Sequence, residues 1–335
     1  TYINLLFLGV GAVLASFLGT TGAAMLLIRP VNNPNSQRKF KVHTILFFIA
    51  IVANAGGLLT PLGDPPLFLL YLRGAPFGWF FQLLPEWIFT NALLLIIYYF
   101  TDKYYYLKEP PENIAFDKTN ITPIKLKGTF NFIFLAGVVF SVAFLNKQYI
   151  PAIEHNHYLA FIREGFILLM AGLSLYFTSK ELRSANKFTY TPIIEVAYLF
   201  LGIFITMVPA LLWLEANAKT LGVETVAQFY YATGALSSFL DNAPTAVSFY
   251  NLALGLTDPG SSGLVAGIPD HLLKAISTGA VFFGAMTYIG NGPNFMVKAI
   301  AEENKINMPG FFGYMIKFSL IVLLPVYILV QIIFL

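Results

Sequence analysis

The sequence contains no cysteine, so neither a disulfide framework nor a thiolate metal site is available to it. Charge is scarce as well: 11% of the 335 residues are Asp, Glu, Lys or Arg, 57% are hydrophobic, and the mean hydropathy is +0.70. A soluble globule of this size needs more polar surface than that, which excludes an ordinary soluble enzyme or binding domain. The four histidines (His43, His155, His157 and His271) lack the spacing of a metal cluster and sit at the edges of apolar runs. The net charge of +3 is spread over several loops and does not gather into a nucleic-acid-binding face. The composition predicts an all-α polytopic membrane protein whose first partner is the lipid bilayer. Thr1 already lies in an apolar segment, without a methionine or a signal-peptide n-region, so residues upstream are expected.

What the chain does contain is a repeat placed where polar punctuation is costly. The first copy reads NAGGLLTPLGDPP from Asn54 to Pro66, and the second reads GAMTYIGNGPN from Gly284 to Asn294. Thr60, Gly63, Asp64 and Pro66 match Thr287, Gly290, Asn291 and Pro293 at one constant offset. Gly and Pro at these positions break a helix within the membrane, and the freed backbone groups then need protein, water or an ion as partners. Paired broken helices are the sequence mark of a secondary transporter.

A crossing helix needs about 20 apolar residues. On that basis crossings are expected at 42–72, 79–100, 127–145, 161–177, 192–214, 271–301 and 311–335, with 42–72 and 271–301 broken by the repeat. Two hairpins with polar tips precede the broken helices, at 3–29 and 226–254. The expected organisation is a first repeat unit at 1–101, a cytoplasmic linker at 102–126 and a second repeat unit at 127–335. The chain crosses five times between the hairpins, an odd number, so the second unit is expected to be inverted. Three spans precede the second hairpin and none precedes the first, so two or three further helices are expected before Thr1. Basic residues test this count: fourteen fall on one side and five on the other, with Lys317 inside the last helix. The richer side, with loops 30–41, 101–127, 178–191 and 302–310, is expected to be cytoplasmic.

Asp64 is the most informative ionisable residue, since a carboxylate within the membrane is costly unless it is protonated, paired or ion-bound. It also stands where it would cap a helix beginning at Pro65, and capping and ion binding are compatible. Asp241, Asn242 and Thr245 at the second hairpin tip supply hard oxygen ligands of the kind Na⁺ needs, with a cap again the simpler reading. The first hairpin offers Thr20 and Thr21 in place of Asp241, and the second broken helix offers Asn291 in place of Asp64. Glu86 and Glu195 lie near membrane edges, and Lys317 either snorkels or pairs with a carboxylate.

ANAGGLLTPLGD from Ala53 to Asp64 resembles the broken-helix motif of NhaD-type sodium/proton antiporters, and LDNAP from Leu240 to Pro244 resembles their hairpin tip. More broadly the chain is similar to the ion transporter superfamily, which also holds citrate, dicarboxylate and arsenite carriers. The resemblance implies an inverted-repeat carrier in a bacterial inner membrane, often a homodimer, with no cofactor beyond Na⁺ and H⁺ as transported or coupling ions. Carried over, the site is Thr20, Thr21, Asn54, Gly57, Thr60 and Asp64 from one half, and Ser238, Asp241, Asn242, Thr245, Thr287, Asn291 and Asn294 from the other. Asp64, Asp241 and Asn242 are the implied Na⁺ ligands. One departure stands out: Thr21-Gly22 occupies the place of an Asp-Asn pair at the first tip. Sodium/proton antiport fits two carboxylates shared between Na⁺ and protons, and a citrate or dicarboxylate carrier is the alternative. A proteolytic aspartate dyad is disfavoured because Asp64 is followed by two prolines and Asp241 by Asn-Ala-Pro.

Overall fold

The computed structural model describes all residues except 33–34, 36, 115–126, 156–157, 186–188 and 259. It is 76% helical. The strands Leu264–Val265 and Ile268–Pro269 form a single two-stranded ribbon among the described residues. Val42–Leu59, Phe77–Tyr106 and Phe311–Phe334 are long and apolar enough to cross a membrane, and shorter apolar helices include Tyr2–Leu18, Asn131–Phe144 and Phe200–Ala216. The protein is an all-α membrane protein.

The chain forms two compact units, one of residues 1–120 and 202–335 and the other of residues 121–201. In the second unit Asn131–Phe144 packs on Ile162–Phe177. Asn131 Oδ1 accepts from Ser174 Oγ at 2.7 Å and Thr178 Oγ1 at 3.0 Å, and Phe134 stacks on Phe177. The helix expected from 127 starts only at Asn131, because Gly128 turns the chain at φ 76°.

The first unit holds both hairpins and both broken helices. The first hairpin consists of Tyr2–Leu18 and Thr20–Asn32, and Gly19 makes the turn at φ 80°, a conformation open to glycine. The second consists of Val226–Phe239, opened by a Thr225/Gln228 capping box, and Asn242–Leu256. Its turn uses Leu240 and Asp241 in extended conformations instead of a glycine.

Both broken helices follow one plan. The first runs Val42–Ile51, a 3₁₀ turn Ala55–Leu59, then Pro65–Leu72. The second runs Asp270–Phe283, a 3₁₀ turn Gly284–Met286, then Gly292–Glu303. Thr60 (φ −144°, ψ 159°) matches Thr287 (φ −138°, ψ 169°) at the point where each 3₁₀ turn ends. Asp64 (φ −145°, ψ 143°) matches Asn291 (φ −149°, ψ 136°) at the residue before the next helix; Pro65 directly after Asp64 favours its extended form, and in both halves a proline sits in the first turn of the helix that follows.

Other expected segments differ as well. The crossing expected at 79–100 is a 3₁₀ segment Phe77–Leu83 followed by helix Leu84–Tyr106, so residues 102–106 of the expected linker are helical. Asp102 holds that extension in place: its Oδ1 meets Arg38 Nη1 at 2.9 Å and His43 Nε2 at 2.8 Å. Loop 178–191 contains the short helix Lys180–Ala185. The last helix, Phe311–Phe334, is π-wound over Met315–Leu323. Lys118, Lys125, Lys187 and His157 lie outside the described residues.

Past that helix, Glu109 accepts the backbone amides of Lys39 at 2.9 Å and Phe40 at 2.7 Å. Burial opposes its ionisation, but the amides of Phe40 and Lys39, with Asn113, outweigh it and hold the carboxyl below its usual range.

Candidate functional site

The two halves of the repeat meet at Asp64, which is 1% exposed. Its Oδ1 accepts from Thr20 Oγ1 at 2.7 Å and from Asn291 Nδ2 at 3.0 Å, and its Oδ2 accepts from Asn242 Nδ2 at 2.6 Å. The partners are neutral, and among the described residues no cation is paired with it. Each partner stands at the start of a helix. Thr20 opens Thr20–Asn32, Asn242 opens Asn242–Leu256, Asn291 precedes Gly292–Glu303, and Asp64 itself precedes Pro65–Leu72. Four helix N-termini therefore converge on one buried carboxylate. Each turns the positive end of its peptide dipoles towards the carboxylate, about half a charge, which complements an anion without a lysine or arginine.

A ring of amides continues the network. Asn54 Nδ2 donates to Asn294 Oδ1 at 2.7 Å and to the Ile49 carbonyl at 2.8 Å, while its Oδ1 accepts from Asn291 at 3.2 Å. Asn294 Nδ2 donates to the Gly284 and Thr287 carbonyls, at 2.7 Å and 2.9 Å, satisfying backbone that the break in the helix freed. Asn242 Oδ1 is buried and has no hydrogen-bond partner among the described residues.

Within each half, matching bonds fix the hairpin tip to the break. The amides of Thr20 and Asn242 donate to the carbonyls of Gly63 (2.8 Å) and Gly290 (3.2 Å). Thr60 Oγ1 donates to the Ser16 carbonyl, and Thr287 Oγ1 to the Ser238 carbonyl. In return Ser16 Oγ donates to Gly56 O at 2.5 Å, and Ser238 Oγ to Phe283 O at 3.3 Å. Gly57 lies beneath this joint, where an added Cβ would meet Thr20 Cγ2 at 2.6 Å.

The expected site residues thus divide. Thr20, Asn54, Asp64, Asn242, Asn291 and Asn294 form one connected network. Gly57, Thr60, Ser238 and Thr287 build the joints beside it. Asp241 caps its own helix, its Oδ1 accepting from the Ala243 amide at 3.0 Å, and Thr245 Oγ1 bonds back to the Asp241 carbonyl at 2.9 Å. Of the implied Na⁺ ligands, Asp64 and Asn242 touch, whereas Asp241 is turned to its cap. Thr21 is half-buried in helix Thr20–Asn32, and its side chain makes no hydrogen bond among the described residues. The matched bonds of Thr20 and Asn242 set Gly19-Thr20, not Thr21-Gly22, opposite Asp241-Asn242. Ser16 and Ser237 were not expected. Ser237 Oγ donates to the Ala280 carbonyl at 2.7 Å, and Ser16 was legible only as the counterpart of Ser238.

Half-helices meeting at a buried carboxylate, inside an apolar protein built as a repeat, are the parts of a membrane carrier. The whole chain, residues 1–335, matches the sequence profile of a family described as "Putative citrate transport". The protein belongs to that citrate-transport family and is a membrane transporter. No curated protein matches the chain.

Proposed function

We propose that the protein is a secondary carrier that moves citrate, or a closely similar polycarboxylate, across the membrane together with a coupling cation. The observation that carries this reading is the convergence of four helix N-termini on Asp64. Such a focus suits carboxylate groups, and it supplies the positive field that no arginine or lysine provides among the described residues of the site. Asp64 then binds the coupling Na⁺ or proton. Asn242 Oδ1, buried beside it, supplies a neutral oxygen to a cation held at Asp64 Oδ2.

Sodium/proton antiport is the second reading. It is favoured by the absence of a cationic side chain around Asp64 among the described residues, which leaves the carboxylate open to competition between Na⁺ and H⁺. In either case the two repeats are inverted, loops 30–41, 101–127, 178–191 and 302–310 face the cytoplasm of a bacterium, and the carrier works as a homodimer by alternating access.

Purified protein in proteoliposomes, with labelled citrate outside and an imposed Na⁺ or proton gradient, tests the assignment. Gradient-driven citrate accumulation supports the carrier. Proton movement in response to Na⁺ or Li⁺ alone, without any carboxylate, replaces it with the antiporter.

A further inference from the structure

Away from Asp64, Lys317 is a charged side chain on a membrane-length helix without a partner among the described residues. Lys317 lies in the second turn of the last helix, within its π-wound stretch, and is exposed. Among the described residues it makes no hydrogen bond and no ion pair. An ammonium on an apolar helix is costly at membrane depth, and its stem and head are drawn towards the nearest polar ground. Irregular π turns are frequent at functional sites.

Beside Lys317 a crevice of about 380 Å³ opens where three helix ends meet: the start of Val42–Ile51, the end of Leu84–Tyr106 and the start of Phe311–Phe334. Tyr105 and Asn307 line it with Lys317 and offer a hydroxyl and an amide donor, while the Thr101 hydroxyl, also in the lining, donates to the Ile97 carbonyl. Phe47 and Val322 line its apolar side. No carboxylate is among the lining residues. The nearby Asp102 is already held by Arg38 and His43, so its charge is not free to repel an anion. A cation, neutral donors and an apolar wall, together at the level where helices end, match an amphiphile with a small anionic head and an acyl chain.

We propose that this crevice binds the phosphodiester headgroup of an acidic membrane lipid, with Lys317 as its counter-ion and an acyl chain along Phe47 and Val322. The site is separate from the Asp64 network and does not depend on what the protein transports.

The test is native mass spectrometry of delipidated, full-length protein in neutral detergent, titrated with phosphatidylglycerol, phosphatidylcholine and inorganic phosphate. Phosphatidylglycerol is expected to bind most tightly. Lys317→Ala should weaken it about fivefold, the worth of one basic residue near a lipid surface. Lys317→Arg should retain it, and Tyr105→Phe, which keeps the ring stacked on His43 at 4.8 Å between centroids, should weaken it through the lost hydroxyl. Equal binding of phosphatidylglycerol by wild type and Lys317→Ala would overturn the proposal. So would binding of inorganic phosphate as tight as that of the lipid, which would mark a free-anion site.

Discussion

Gly63 is where the geometry of the site is least forgiving, and Gly63→Ala is the sharpest test of it. A Cβ there would stand 2.0 Å from the Gly57 carbonyl oxygen and 2.7 Å from its carbon. Ordinary contact begins at 3.4 Å, so the two backbone segments must part by at least 1.4 Å. Neither is the end of a flexible side chain. The backbone at Gly63 is not left-handed, so the cost is steric and not conformational. Overpacking of this kind costs about 1–3 kcal/mol. Movement of the Gly63 carbonyl also loosens the buried bond from the Thr20 amide at 2.8 Å, worth about 1 kcal/mol. A total of about 2–4 kcal/mol lowers the melting temperature in detergent by on the order of 5 °C. Transport falls more steeply, because Thr20 and Asp64 separate with the joint. Gly172→Ala is the control: it lies inside helix Ile162–Phe177, its Cβ meets nothing within 4 Å, and alanine there should be neutral or slightly stabilising. Equal melting temperatures and transport rates for the two variants would refute this account of the joint.

Asp64→Asn preserves shape but removes charge, and citrate uptake should stop responding to an imposed Na⁺ or proton gradient while the protein stays folded and inserted; uptake that still follows either gradient removes Asp64 from coupling. At Asp241, Asp241→Ala deletes the cap and costs about 1 kcal/mol of stability, whereas Asp241→Ser keeps a capping oxygen. Transport restored by serine assigns Asp241 to structure alone, and equal loss in both variants assigns its carboxylate to the ion. Glu109 ties the 30–41 loop to the end of helix Leu84–Tyr106, and its carboxyl is held below the usual range. A depressed carboxylate stabilises fully above its unfolded value of about 4.3 and loses that effect as pH falls through the lower folded value. Protection of the Lys39 and Phe40 amides, their exchange relative to an unfolded chain at the same pH, should therefore be high at neutral pH and be lost only below about pH 4. Absence of protection at pH 7 would show that the loop is not docked through Glu109.

The breaks were legible because glycine and proline leave few alternatives: Thr60, Gly63, Asp64 and Pro66 repeat at a fixed offset, and the backbone repeats with them. The register of the hairpins was hidden from the same reasoning. Ser16 precedes Thr60 by 44 residues and Ser238 precedes Thr287 by 49, so an offset that aligns the breaks misaligns the tips. The first tip also turns on a glycine where the second uses an aspartate, which leaves no shared residue at that place. Asp64 could be singled out from its cost in a membrane, but its partners could not, since Asn242 lies 178 residues away and Asn291 lies 227. The helical continuation through Asp102 was obscured by polar residues that end an apolar run. Arg38 and His43 make that carboxylate compatible with burial, and both precede it by more than fifty residues.

The two kinds of bond around Asp64 differ in how readily they part. Each hairpin is riveted to its own broken helix through main-chain groups: an amide to a carbonyl, and hydroxyls to carbonyls. The bonds that cross from one half to the other, Asp64 to Asn242 and Asn291 and Asn54 to Asn294, run between side chains, with Asn291 reaching the Ala53 carbonyl as the one main-chain contact among them. Short polar side chains can swing away and take up water, while riveted backbone cannot. The hydrogen bonds at the seam can therefore be exchanged for water by side-chain rotation alone, whereas separating a hairpin from its own broken helix must break bonds to the main chain.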